Sequence, residues 1–112
     1  MKLPNGEHAI VERGKIADYL LNLAHPDNGG KAQFFMACGF RRDDWIALAD
    51  ALRALALTGE VGKSLDSSHG RKYILDGEIG TPAGRQSMVR TIWIVDQGSD
   101  TPRLVTAYPH EK

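Results

Sequence analysis

Cysteine, long apolar runs and any excess of one charge are all scarce in this chain, and aromatic residues make up only 7% of it. Cys38 is the single cysteine of the 112 residues, so no internal disulfide staples the fold. It lies in the apolar run Phe34-Phe35-Met36-Ala37-Cys38-Gly39-Phe40. A buried structural thiol is expected there, in a chain suited to a reducing compartment. No apolar stretch approaches the ~20 residues that span a bilayer, so no membrane segment is expected. Pro4 and Gly6 sit where a secretory signal would carry its apolar centre, and the N-terminus is not read as one. Fourteen basic residues against fourteen acidic ones exclude a histone-like polycation, though a few cations converging on one site still suffice for a phosphodiester. P-loop, dinucleotide fingerprint, HExxH and zinc-type Cys/His spacings are absent too. His8, His25, His69 and His110 are far apart, and no metal or cofactor is expected.

What is present is an ordinary globular composition, 42% hydrophobic and 25% charged, expected to make one domain over 1–112. The first fourteen residues read as an extended arm, with a turn at Asn5-Gly6 and an apolar Ala9-Ile10-Val11 able to lay a strand or staple on the core. Residues 15–58 read as helical. Ile16, Tyr19, Leu20 and Leu23 recur at helical spacing, predicting a helix from Lys15 to about Ala24. His25-Pro26-Asp27-Asn28-Gly29-Gly30 then breaks the chain. A second helix is expected from Lys31 to Cys38, apolar nearly all round and therefore central, stopped by Gly39. In the third, Asp43 or Asp44 caps a stripe of Trp45, Leu48, Ala49, Leu52, Leu55 and Ala56, which ends at Thr58-Gly59.

After Gly59 the apolar period falls from about 3.6 to 2. Strands are predicted over Glu60–Leu65, Arg71–Ile79 with a bulge at Gly77, Ser87–Val95, and Arg103–Tyr108. Helices followed by strands imply an α+β fold: three N-terminal helices on one face of a four-stranded antiparallel sheet spanning 60–108. The other face is then open. Thr106 and Tyr108 are expected on it, with Val105 and Ala107 beneath the helices. Either Arg90 or Thr91 joins them, because both faces of that strand are largely apolar.

Exposed Thr, Tyr and Arg on a strand follow from β-propensity alone, Lys31 suits a helix start and Arg85 a turn. Convergence is what points to chemistry: His25, Lys31, His69, Arg85, Arg90, Thr106 and Tyr108 are placed around one concave surface. Such a set suits metal-free RNA cleavage, which needs a base for the 2′-hydroxyl, an acid for the 5′-oxygen and cations for the phosphorane.

The stretch KIADYLLNLAHPDNGGKAQFFMACGF carries the motif L-N-x-x-H-P-x-x-G-x-K-A-x-x-F-x-x-x-G. The second half carries G-R, then V-R-T-x-W-I, then P-R-L-V-T-A-Y. Together they resemble a bacterial family of small domains of unknown function, whose members stand alone or as C-terminal tips of larger proteins, often beside a small partner protein. The layout and the closing T-x-Y-P strand also look like the barnase–EndoU–colicin–RelE ribonuclease fold of bacterial toxins. That wider resemblance implies a toxin-like endoribonuclease acting in the cytoplasm on tRNA or mRNA. It also implies a cognate antitoxin or immunity protein as partner, and a site drawn from His25, Lys31, Arg85, Arg90, Thr106 and Tyr108. In this reading a histidine, His25 or His69, carries the proton, and a 2′,3′-cyclic phosphate is left. Two other expectations stand beside it: a non-catalytic binding module, itself an antitoxin or immunity protein, and a homodimer packed through Met88, Ile92 and Ile94.

Overall fold

A computed structural model describes residues 1–110. It has the expected α+β architecture, with helices in the N-terminal half and a sheet in the C-terminal half. The helical half opens with a 3-10 turn at Gly6–His8. One α-helical turn, Arg13–Lys15, then widens into a π-helix over Ile16–Leu20 (together α1). α2 is Lys31–Ala37 and α3 is Trp45–Thr58. The sheet is a meander of β1 Val61–Ser67, β2 Gly70–Gly80, β3 Gln86–Asp96 and β4 Pro102–Pro109, in the order β1-β2-β3-β4. The expected arm is held as a staple, since Ile10 bridges in parallel to Arg103 and Lys2 bridges antiparallel to Glu60. Ala9 and Val11 enter the core beside it.

α3 buries the stripe read from its spacing. Leu48, Ala49, Leu52 and Ala56 are fully excluded from water, each large side chain contributing roughly 1.5–3 kcal/mol. Opposite them, the core face of the sheet presents Tyr73, Leu75 and Ile79 from β2, then Val89, Thr91 and Trp93 from β3, then Leu104 and Ala107 from β4. Thr91 is the polar member. Its hydroxyl donates to the Leu75 carbonyl at 2.7 Å and accepts from Trp93 Nε1 at 2.8 Å, so both buried polar groups are satisfied. Thr91 therefore belongs to the core, and Arg90 takes the open face.

Several local expectations are corrected. α1 ends at Leu20 rather than Ala24, and Leu23 is exposed. Asn22 donates to the Asp18 carbonyl and accepts from the Ala24 N–H, local bonds that compete with a further helical turn. α2 is amphipathic rather than central: Ala32 and Phe35 are buried, while Gln33 and Ala37 are exposed. Cys38 is half-buried, its sulfur 3.6 Å from Ser87 Oγ. Asp44 holds the N-cap position of α3 without a side-chain cap bond, and Asp43 pairs with Arg41 instead. β2 pairs with β3 without interruption through Gly77. Glycine leaves room there for Leu55 of α3, whose Cδ1 would lie 2.5 Å from a Cβ and would have to shift. The irregularities fall elsewhere, at Gly62 in β1 and at Val105 in β4.

The Val105 bulge has consequences for the open face. Leu104 lies opposite Trp93 and Thr106 opposite Ile92, so the extra residue between them turns Leu104 into the core and leaves Thr106 and Tyr108 on the other side. Leu104 rather than the expected Val105 thus packs beneath the helices with Ala107, while Thr106 and Tyr108 keep the open face.

Candidate functional site

The segment between α1 and α2 wraps the β4 edge, and Asn28 fixes its course. Asn28 is 5% exposed. Its amide donates to the carbonyls of Asn22 and Tyr19 at the open end of α1, the latter at 3.4 Å, and its Oδ1 accepts from the Gly30 N–H at 3.1 Å. These bonds satisfy carbonyls that a helix end leaves orphaned. They also lead the chain through Gly29 (φ 62°) and Gly30 (φ 87°) into Lys31. Both angles are in the left-handed region that glycine enters at no steric cost.

Lys31 projects from the start of α2 towards the β4 edge. Its Nζ donates to the Tyr19 hydroxyl at 2.9 Å and stands 5.9 Å from the centre of the Tyr108 ring. Lys15, one turn before Tyr19, places its Nζ 5.5 Å from the Tyr19 ring centre. His25 packs edge-on against the same ring, with centroids 4.9 Å apart and planes at 80°, and its Nδ1 accepts from the Asp27 N–H at 3.1 Å. Thr106 Oγ1 is buried facing the Tyr19 hydroxyl without closing a hydrogen bond of normal geometry. Burial alone raises the Tyr19 phenol. The hydrogen bond from Lys31, the approach of Thr106 and the positive charges of Lys31 and Lys15 outweigh burial together, and hold it below its ordinary value of 10.0. Beside this cluster opens a pocket of about 400 Å³, lined by Gly29, Gly30, Lys31, Tyr108 and Pro109.

The cluster continues across the sheet. Arg90 is the direct cross-strand partner of Tyr108. It grips Asp76 of β2 with two bonds, Nε to Oδ1 at 2.8 Å and Nη2 to Oδ2 at 2.9 Å. That fork holds the Asp76 carboxyl below 3.8 although burial opposes it. His110 Nε2 lies 3.3 Å from the same carboxylate. Arg90 is therefore a neutralised cation, whereas Lys31 has no carboxylate within ion-pair distance among the described residues.

Of the seven candidate residues, five gather here: His25, Lys31, Arg90, Thr106 and Tyr108. His69 does not. It sits in the β1–β2 turn, where its carbonyl accepts from the Gln97 N–H at 3.0 Å. Asp96 at that end of β3 is six residues, roughly 20 Å, from Arg90. Arg85 is in the β2–β3 turn, five residues or roughly 17 Å from Arg90, beside a smaller pocket shared with Phe34, Cys38 and Ser87. The gathering point is the β4 edge, not the middle of the open face. There Ile74 and Ile92 lie half-buried between the Arg90–Asp76 and Arg103–Asp96 pairs, and Ile94 is only 4% exposed.

Sequence reasoning missed Tyr19, Asn28, Asp76 and His110. Tyr19 falls on the apolar spacing of α1 and reads as core; Lys15 four residues earlier was the available signal. Asp76 and Arg90 are fourteen residues apart, with no local pattern to link them. Among the described residues, no three His, Cys, Asp or Glu side chains come together as a metal site would require, and no helix is long and apolar enough to cross a membrane.

Comparison with known proteins adds a fold and a family. A chain of the contact-dependent growth inhibition toxin–immunity protein complex from Klebsiella pneumoniae 342 matches with a TM-score of 0.74 over 90% of this chain and 99% of that one. At 17% identity the likeness is one of fold. No curated protein matches the sequence. The match that assigns a family runs over residues 2–111, and by it the chain belongs to DUF6883, a family of domains of unknown function.

Proposed function

We propose that this chain is a toxin-like endoribonuclease that cuts tRNA or mRNA in the cytoplasm without a metal ion and is held in check by a cognate antitoxin or immunity protein. The convergence of Lys31, Tyr19, His25, Thr106 and Tyr108 beside an open pocket at the β4 edge, which Lys31 and Tyr108 line, carries the reading. The fold likeness to a chain of a toxin–immunity complex is in keeping with it, as is the proposed kinship with the barnase–EndoU–colicin–RelE fold.

Transphosphorylation needs the 2′-hydroxyl deprotonated, the 5′-oxygen protonated and the phosphorane's charge met. Lys31 is the cation at the pocket, its Nζ facing the phosphate. A histidine stands on each flank, His25 against Tyr19 and His110 against Asp76, so one takes the 2′ proton while the other gives a proton to the leaving oxygen. Tyr108 offers a ring for an unpaired base, while the buried Thr106 hydroxyl acts through Tyr19, which it faces. Arg90 acts through Tyr108, orienting it from the neighbouring strand. His69 and Arg85 have no part in the chemistry in this scheme.

Incubation with total tRNA, with and without EDTA, tests it. Cleavage that survives EDTA and leaves 2′,3′-cyclic phosphate ends is expected. Lys31→Ala should slow it by roughly 10²–10³, as loss of one transition-state charge contact does. No cleavage at micromolar protein, or cleavage abolished by EDTA, refutes the proposal. A second reading rests on the half-buried Ile74 and Ile92, flanked by arginines already neutralised. Such a face suits a non-catalytic module that binds a protein, and that module would express freely in a host that a nuclease would poison.

A further inference from the structure

The two edges of the sheet differ in what covers them. At β4 the N-terminal arm lies alongside: the Ile10 N–H donates to the Pro102 carbonyl at 2.8 Å, and the Leu104 N–H donates to the Ile10 carbonyl at 2.9 Å. β1 pairs with β2 on its inner side. On its outer side only the start is met, where the Val61 N–H donates to the Met1 carbonyl at 2.8 Å and Lys2 bridges antiparallel to Glu60. From Gly62 to Ser67 the outer backbone donors and acceptors have no partner among the described residues. That stretch is nevertheless pinned from within, since Arg71 of β2 donates to Asp66 and to Ser64, both at 3.0 Å. An edge already fixed in shape loses little freedom when another strand joins it.

Charge along this edge is unbalanced, although the whole chain is neutral. Its carboxylates are taken: Glu60 by Lys2 and the N-terminal ammonium, Asp66 by Arg71. Further across the open face Arg90 takes Asp76 and Arg103 takes Asp96. Lys63 and Lys72 are left over, with no carboxylate in ion-pair distance among the described residues. Register alternates them with apolar side chains, Lys63 opposite Ile74 and Leu65 opposite Lys72, and Leu65 is 46% exposed. We infer that the outer edge of β1 docks an extended acidic segment of another protein, which joins antiparallel as a fifth strand. Such a segment sets an apolar residue opposite Leu65 and, two residues later, a carboxylate opposite Lys63, because alternate residues share a face. The antiparallel sense continues the bridge of Lys2 to Glu60 on the same side. Lys63 guards the edge against indiscriminate pairing, yet it favours a strand of opposite charge. A second copy of this chain is the poorer occupant, since its own surplus charge at this edge is also positive. The inference is independent of the ribonuclease reading. β1 stands three strand spacings, roughly 14 Å, from β4, so a strand added there leaves the Lys31 pocket open.

The experiment titrates the intact protein with the capped peptide Thr-Thr-Val-Thr-Glu-Thr at millimolar concentration, following amide shifts and amide exchange by NMR. The lysine counterpart Thr-Thr-Val-Thr-Lys-Thr and the reversed Thr-Glu-Thr-Val-Thr-Thr are titrated alongside. The glutamate peptide should shift Gly62–Ser67 and slow exchange of their outward amides. It should bind roughly fivefold tighter than the lysine peptide, as a favourable cross-strand charge pair set against a repulsive one does. The reversed peptide should bind more weakly. Lys63→Glu, a change at an exposed residue with no partner to lose, should invert the order of the glutamate and lysine peptides. Leu65→Thr should weaken both. Equal binding of the three peptides, shifts lying outside β1 and β2, or no shift at all overturns the inference. So do shifts over β1 that follow the concentration of the protein alone, which would give the edge to a second copy. Cleavage of tRNA measured with the glutamate peptide present reports on the ribonuclease reading separately, since the pocket stays open in either case.

Discussion

Asn28→Ala tests how the fold makes the site, because one buried side chain ties α1, the glycine loop and Lys31 together. The wild-type amide makes a firm bond to the Asn22 carbonyl, a long one of 3.4 Å to Tyr19, and accepts from Gly30 at 3.1 Å. Two good bonds at about 0.5–1.5 kcal/mol each, with little from the long one, put the loss near 2 kcal/mol. Backbone groups left unsatisfied in a partly buried place keep the figure from being smaller. Urea unfolding should show a lower midpoint with an unchanged slope, and Tm should fall by roughly 8 °C. Asn28→Asp is the sharper control, since it keeps the acceptor for Gly30 but turns a carboxylate on the two carbonyls; it should destabilise at least as much as alanine. The second readout is Tyr19. A loosened loop frees Lys31 from the phenol, so the ultraviolet titration of Tyr19 should move upwards. An alanine variant within 0.5 kcal/mol of wild type, with the Tyr19 titration unmoved, refutes the role given to Asn28.

Lys31→Met removes the hydrogen bond and the nearest charge while burial remains, so Tyr19 should titrate higher than in the wild type, read at 295 nm. Gly77→Ala drives a methyl group against Leu55, which packs 2.5 Å from the position of the new Cβ; about 1–3 kcal/mol should be lost in chemical denaturation. Thr91→Val strips the partner from Trp93 Nε1 and the donor from the Leu75 carbonyl, at a cost of about 1–3 kcal/mol, with the near-ultraviolet spectrum of Trp93 altered. Asp76 is more acidic folded than unfolded because Arg90 grips it. Its contribution is therefore complete above about pH 4 and declines as pH falls through the lower folded value. The stability gap between wild type and Asp76→Asn should be widest near neutrality and close below pH 4. Asp96, lowered by Arg103 in the same way, is present in both proteins and cancels in the difference.

Much of the architecture was legible in residue order, because it depends on short-range periodicity. The stripe Leu48, Ala49, Leu52, Leu55 and Ala56 forces a helix whose one face must be buried, and the β-branched run of Ser87–Val95 forces a strand. The turns, the order of the strands and the family likeness follow from similarly local patterns. Element ends were less legible. Asn22 and Asn28 cut α1 short through side-chain bonds to carbonyls that spacing rules ignore.

The candidate edge was only half visible. His25 of the loop, Lys31 of the helix start, and Thr106 and Tyr108 of the last strand do lie together there. Whether Arg90 or Thr91 joined them was decided by the register of β3 against its neighbours, since both faces of that strand are apolar enough to be buried. Tyr19 was hidden because an apolar spacing describes its backbone position and not its hydroxyl, which reaches past the β4 edge to Lys31. Asp76, Arg90 and His110 meet across three strands. Sequence by itself determined the elements and the buried stripe of α3, because burial is enforced residue by residue along that helix. Only the tertiary structure decided which polar groups meet, because a one-residue bulge at Val105 and the length at which β4 stops set those contacts, and neither leaves a mark in the local pattern.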